Sequence, residues 1–559
     1  MAVISATGSS SISAVTSASA SLDTETLIKN AVEQRLAAAD AIELKITDAE
    51  AQLAAYQELE TLLLALSQAS DDLRNPAGST QSDAFDERAI ALTASNGATA
   101  TDLMGAAVEP GAQLGSYDIV VEQVATSHKI ATDSIASNSE DLGLSGTFSL
   151  GAGDGTAVDI DVSADMSLAE IAAAINAESG ASGVSASVLK VDSNSYILVL
   201  TAAETNAPIS LADGAGSVLE TLGLVTAGGA IGNELQAAQP AILTVDGIEI
   251  TRSTNEIDDL IEGVTLYLYG ADAGTTLTLD IGADLAGVSN AITDFVDAYN
   301  AIRDFILTQQ ATGADGAAAD DAVLFGDSLL REISTDLQAL LTTSTDDAAT
   351  QLSTIGITMD VNNYLVIDST ALADALSGDL DAVAALFQFD VATSSADLAI
   401  VSNGAGTAAG DYTFDITVDA DGNLTGVSVN GDTSLFTVTG NSIKGKDGTI
   451  FEGMTFAYLG TESASIEVSI GRGLAQRFSD SLADYVGAYA GAVDSRLTTA
   501  TDGLQDGITR MESDVSSIER RTEDYRLWLT EYYGRIEAQI NAASRLREQL
   551  QVLLSSDDD

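Results

Sequence analysis

The chain has 559 residues, a mass of 57.1 kDa and a mean hydropathy of +0.18, room for about three or four domains at roughly 150 residues each. Its 22 basic and 84 acidic side chains leave a net charge of −62, which argues against nucleic acid or an anionic membrane surface as partner. With no cysteine and one histidine, His128, disulfides, thiolate metal sites and most catalytic triads are excluded.

Residues 1–21 are small, polar and aperiodic, and are expected to form a disordered tail. No basic side chain precedes Lys29 and no apolar block follows Met1, so no cleaved leader of the standard kind is expected. No run of about 18 apolar residues suggests membrane insertion. Residues 22–76 read as the N-terminal arm of a helical leg. Ile42, Ile46, Ala49, Leu53, Tyr56, Leu59, Leu63, Leu66 and Leu73 recur at steps of three or four, with Ser70 keeping the spacing, and Asn75-Pro76 stops the helix.

Residues 77–283 turn to short β-type runs separated by Gly, Asn and Asp. Examples are Ser116–Val124, Ser185–Lys190, Tyr196–Thr201, Ile242–Val245 and Thr275–Ile281. One helix interrupts them at Ser167–Asn176, with Ser167 and Glu170 spaced as a capping box. Helical periodicity returns over 284–390. Val288, Ile292, Phe295, Tyr299, Ile302 and Ile306 form one stripe, and Leu329, Ile333, Leu337, Leu340 and Leu341 another. A hairpin is expected at Ile355–Ile357 and Tyr364–Ile367, then short helices carrying Leu372, Leu376, Val383 and Phe387.

Residues 391–470 are again β-like and echo the first region. Ile261–Gly270 resembles Phe451–Gly460, and Gly115-Ser-Tyr-Asp-Ile-Val resembles Gly410-Asp-Tyr-Thr-Phe-Asp. Two related β modules are expected, the second shorter. Residues 471–496 return to the helical domain, and 497–559 form the C-terminal arm of the leg. There Leu497, Thr501, Leu504, Ile508, Met511, Val515, Ile518, Thr522, Tyr525, Leu529, Tyr532, Ile536, Gln539, Ala543, Leu546, Leu550 and Leu553 alternate by four and three. A 3.5-residue period sustained this long is a coiled-coil seam. The two arms are expected to pack on each other. Ten of the 22 basic residues lie between Arg472 and Arg547, and only seven between 89 and 471; packed helices at the ends and a water-exposed middle account for that asymmetry.

No pattern calls for catalysis, a cofactor or a metal. Asp419-Ala-Asp-Gly-Asn423 fails as a calcium loop, because Leu424 stands where the sharp-turn Gly belongs and Asn430 where the bidentate Glu belongs. A hairpin turn is the better reading. His128 has no partner motif and is expected as a solvated or capping side chain. Trp528, between Leu527 and Leu529, is expected as a packing anchor beside the seam; if exposed, it would suit a subunit contact.

Taken together, these segments resemble the bacterial flagellar filament capping (hook-associated protein 2) family. Ser21–Ile28 resembles its opening, although Gly is more usual where Ser21 stands. Ser167–Asn176, Gly183–Val188 and Tyr196–Thr201 are similar to the repeat of flagellar hook and filament proteins. Val245-Asp-Gly247, Arg252-Ser-Thr-Asn255 and Glu262–Leu266 resemble its central signature; Phe295–Asn300, Gly326-Asp327, Ile355–Ile357 and Asp381–Phe387 resemble its C-terminal half. The resemblance implies an α+β multidomain fold with a coiled-coil leg built from both chain ends, a helical domain and β-rich head modules. It implies a homo-oligomeric ring, often a pentamer, at the distal filament tip outside the cell. It also implies flagellin, hook–filament junction proteins and an export chaperone as partners, and export by the flagellar type III route. A hook–filament junction protein would lack Glu262–Leu266 and the pattern at Ile355–Phe387. An adhesin binding glycans through the β head is the other alternative.

Overall fold

A computed structural model describes residues 23–74, 82–342, 348–402, 410–487 and 495–555. The expected tail at 1–21 and the stop at Asn75-Pro76 lie outside these residues. The chain forms two units, one from the chain up to Asp71 with Asp294–Asp368 and everything from Arg472, the other from Asp72–Thr293 and Ser369–Gly471.

The first unit is built on two long helices, Thr24–Asp71 and Arg496–Ser555, about 70 and 90 Å long at 1.5 Å per residue. Shorter helices complete it, of which Ala348–Thr354 is the smallest among the described residues. Most of Leu285–Gln309 belongs here, and its expected stripe is buried from Val288 to Ile306. In Ser328–Thr342 the buried row is Leu330, Ile333, Leu337 and Leu341, so Leu330 rather than Leu329 turns inward. Its start is fixed by Asp327, whose Oδ1 accepts from Leu330 N at 2.8 Å. Leu474–Val486 is the returning helix. Phe478 packs edge-on against Phe295 and Tyr299, with ring centroids 5.2 and 6.3 Å away. The expected hairpin is present, slightly displaced, as Ile357–Met359 against Leu365–Ile367. Asn300 clamps it by accepting from Leu365 N and donating to Leu365 O.

The second unit holds three β bodies. In the first module, a five-stranded and a three-stranded antiparallel sheet share a core that includes Ile119, Val121, Leu243, Leu266 and Leu279. A subdomain is inserted in it between the strands Gly115–Gln123 and Ala241–Val245. The insert carries a four-stranded and a three-stranded sheet and the helix Leu168–Ala177, around Phe148, Ile171, Ile175, Leu198 and Leu200. The Ser167/Glu170 capping box is formed. The third body, residues 391–471, packs two four-stranded sheets over Phe414, Phe436, Phe451 and Phe456. The short helices Ser369–Gly378 and Leu380–Phe387 group with this unit rather than with the helical one, although the helical pattern of 284–390 runs on through them. The reason is packing: Phe387 lies 6.4 Å from Phe85, which leads into the first module.

The echo in the sequence is a structural duplication. Gly115–Gln123 pairs with Leu277–Ala283 through Ile119↔Leu277 and Gly115↔Ile281. Gly410–Val418 pairs with Ala464–Arg472 through Phe414↔Ile466 and Gly410↔Ile470, the same offset. The turns Asp246-Gly247 and Asn430-Gly431 both take positive φ at both residues, as a two-residue hairpin requires. Asp118 N donates to Asp246 Oδ1, and Thr413 N to Asn430 Oδ1. The second module is shorter because Asp419–Asn423 closes as a hairpin turn where the first carries the insert. Asp419 Oδ1 accepts from Asp421 N and Asn423 N there, and no metal-holding group occurs among the described residues.

Candidate functional site

The site suggested by the seam is the surface of the paired long helices. Asp23 caps the first helix, its carboxylate accepting from Thr26 N at 3.0 Å and Thr26 Oγ1 at 2.6 Å. Two contacts set the antiparallel register. Thr24 Oγ1 donates to Glu537 at 2.6 Å, and the Arg35 guanidinium sits 3.5 Å over the Tyr525 ring. The C-terminal helix therefore runs on past Thr24 for more than a dozen residues.

Burial along the seam is graded. Leu497, Ile508, Val515, Thr522 and Leu529 are buried, as are Tyr56, Leu63 and Leu66 on the other arm. Leu504, Met511, Ile518, Tyr525, Ile536, Ile42, Ile46 and Leu53 are half-buried. Tyr532, Leu546 and Leu550 are exposed, and the side chain of Leu553 lies outside the described residues. The seam is thus covered from Leu497 to Leu529, thins through exposed Tyr532 and half-buried Ile536, and is open at Leu546 and Leu550. Ser70, the polar seam position, is satisfied by its own helix, donating to Leu66 O at 2.7 Å.

At the covered end the helices are fastened to the rest of their unit. Tyr56 donates to Asp327 at 2.8 Å; burial first, then that carboxylate, pushes the phenol far up. Tyr485 donates to Asp336, and burial followed by this bond raises it likewise. Arg496 forms a two-pronged pair with Glu332 at 2.7 and 2.5 Å and lies 5.1 Å over the Tyr485 ring. Ser479 Oγ donates to Asp71 at 3.0 Å.

The open end shows what the heptad pattern does not. Trp528 is 51% exposed, not buried beside the seam. It stacks between Tyr525 and Tyr532 at 5.8 and 5.3 Å, with rings 12° from parallel. Their spacing of three and four residues puts all three rings on one helix face. Leu527, Ile540, Leu546 and Leu550 are exposed on the same stretch of helix. His128, expected in solvent, is only 5% exposed. Its Nδ1 accepts from Ile209 N at 2.8 Å and its Nε2 faces Glu234 at 3.1 Å, so it ties strands together.

Comparison with known proteins gives this arrangement a family. The flagellar hook-associated protein 2 C-terminus matches residues 238–544, and its N-terminus matches 20–128. The chain belongs to the flagellar hook-associated protein 2 family. The flagellin hook IN motif matches 147–204, within the inserted subdomain. The B-type flagellar hook-associated protein 2 of Pseudomonas aeruginosa is 30% identical over 328 residues, covering 55% of this chain and 68% of its own. That of Aeromonas caviae is 28% identical over 388 residues, covering 67% and 81%. The crystal structure of the D1-D2-D3 domains of the flagellar cap protein FliD from Escherichia coli shares the fold, with TM-score 0.51 at 24% identity over 81% of this chain and 99% of that one. Hook-associated protein 2 is a structural protein, not an enzyme, and its role is that of the filament cap at the extracellular tip. The match decides against the hook–filament junction protein.

Proposed function

We propose that the chain performs this role as one subunit of a ring, five copies being the expected number, with the paired long helices as the leg that grips the filament. The observation that carries the reading is the exposed pair Trp528 and Tyr532, stacked in one row with half-buried Tyr525. A contiguous apolar surface in water marks an interaction site, and aromatic side chains supply much contact area at small entropic cost.

A closed ring and a helical filament differ in symmetry, so the leg contacts of successive subunits are not equivalent. A stacked aromatic row with aliphatic neighbours adapts to unequal contacts, because most of its energy is non-directional. Weak, exchangeable gripping lets the cap step as subunits add. The β modules serve as the lid that keeps unfolded flagellin from escaping and gives it room to fold. Flagellin, the hook–filament junction proteins and an export chaperone are the partners, with delivery by the flagellar type III route.

The test is Trp528→Ala with Tyr532→Ala in the full chain. Both side chains are about half exposed, so the circular dichroism spectrum should stay unchanged while flagellin appears free in the medium and filaments shorten. Truncation after Leu497 should do the same more severely. Filaments of normal length on cells carrying the double variant would overturn the leg assignment.

A further inference from the structure

The inserted subdomain enters at Val124–Thr126 and leaves at Ala237–Pro240. The two crossing strands are stitched together. Thr126 N donates to Gln239 O at 3.0 Å and Thr126 Oγ1 to Ala237 O at 2.8 Å; Gln123 Nε2 donates to Pro240 O at 2.7 Å. Between them lies Ala125, 3% exposed. Both its backbone polar groups go to one side chain outside the stem. Ala125 N donates to Asn255 Oδ1 at 2.7 Å, and Asn255 Nδ2 donates to Ala125 O at 2.9 Å. Asn255 is itself anchored, since its carbonyl accepts from Leu268 N at 2.8 Å in the three-stranded sheet. Beside it, Ser253 O accepts from Thr205 Oγ1 of the insert at 2.6 Å. The segment Arg252-Ser-Thr-Asn255 is thus a joint. The amide of Asn255 imitates a neighbouring strand, and without it a buried donor and acceptor lose their partners, which is the costly kind of loss.

The duplication supplies an internal comparison. In the second module Tyr458 N donates to Asn441 O at 2.8 Å, as Leu268 N does to Asn255 O. Each Asn stands two residues before an inward Ile, Ile443 and Ile257. Yet Asn441 is exposed, because the turn Asp419–Asn423 leaves no stem to hold. Same position and same residue, but the side chain is engaged only where a subdomain is inserted.

We propose that Asn255 is the positioning residue of the head, setting the angle at which the inserted subdomain stands on the first β module. Identical copies close into a symmetric assembly only when each holds the same internal geometry. That consequence for capping rests on the proposed function; the joint itself is read without it.

The test uses the full chain with Asn255→Ala, Asn255→Asp and Asn441→Ala. Amide exchange at Ala125 and Thr126 should rise about tenfold or more in N255A, as expected for a lost buried hydrogen bond, less in N255D, which keeps the acceptor, and not at all in N441A. Because the chain has no cysteine, spin labels at Ala91→Cys and Ser187→Cys report one distance, one in the module and one in the insert. Its distribution should broaden in N255A and stay narrow in N441A. Loss of capping in N255D with a normal circular dichroism spectrum would tie the joint to the cap. The proposal falls if N255A matches N441A in both exchange and distance width. Should N255A fail to fold, N255D decides: exchange and width equal to the wild type overturn the joint whatever the filaments do.

Discussion

Asp83 shows how a single side chain sets a pH response. It is 5% exposed, and its carboxylate accepts from Phe85 N and Asp86 N at 2.8 and 3.2 Å. Burial, then the charge of Asp86, raises it from 3.8 to about 6, against the pull of those N–H groups. A carboxyl raised in the folded state holds its proton more tightly there than in the unfolded chain. Stability therefore falls as pH climbs from the ordinary value to about 6, then levels. Asp83→Asn keeps the accepting oxygen and removes the charge. It is expected to be more stable than the wild type near pH 7.5 by about 1–2 kcal/mol, the gap shrinking towards pH 5. Urea midpoints at the two pH values check this, and an equal gap at both would refute it. Glu170 has the opposite sign: its bonds to Ser167 hold it low, so its contribution is lost on acidification. At this scale the sequence misleads most at His128. Its strand alternates, with His128 and Ile130 on the buried side, and that parity was the available signal. Nothing local to the sequence shows that Ile209 and Glu234 wait there.

Among elements, the long helices were the most legible, because a 3.5-residue period over many turns has few competing explanations. The period gave the helices and the inward face. It could not give how far one arm outruns the other, which depends on contacts such as Thr24 with Glu537, nor that the Trp528 face stays open. The C-terminal helix also carries three inner glycines, Gly503, Gly507 and Gly534. A Cβ built on Gly503, Gly507 or Gly534 meets nothing within 4 Å. Gly503→Ala and Gly507→Ala should each stabilise the helix pair by up to about 1 kcal/mol, since Ala loses less backbone freedom on folding. The lone tryptophan, Trp528, makes its fluorescence a local thermometer of that pair. A lower melting temperature in G507A would show that some contact there needs the bare backbone. The β duplication was legible as an echo because turn residues sit at fixed offsets. The change of partner after the turn was not: Ile248–Arg252 pairs with Ala241–Val245, whereas Phe436–Thr439 pairs with Ser442–Gly445. Both strands alternate alike, so only tertiary packing separates them.

For the whole molecule the governing quantity is a charge of −62 with an uneven distribution. The span from 89 to 471, most of it in the β unit, has seven basic residues, so its carboxylates find few opposite charges and repel one another. The helical unit differs, with Arg496–Glu332, Arg526–Glu523 and Arg535–Glu531 pairs on its surface. Salt screens both, but with opposite consequences: repulsion is relieved in the β unit, while attraction is weakened in the helices. The screening length shortens from about 30 Å in 0.01 M salt to about 3 Å in 1 M. Over that range the β unit's melting temperature should rise by several degrees, and the helix pair, followed through Trp528, should rise less or fall. Circular dichroism in the β region of the spectrum, read beside the fluorescence, separates the two transitions. Potassium and sodium chloride should act alike, because screening depends on ionic strength and not on a bound ion. Equal shifts of both transitions would mean that self-repulsion in the β unit is not what limits its stability, and a response to one cation alone would point to specific binding instead.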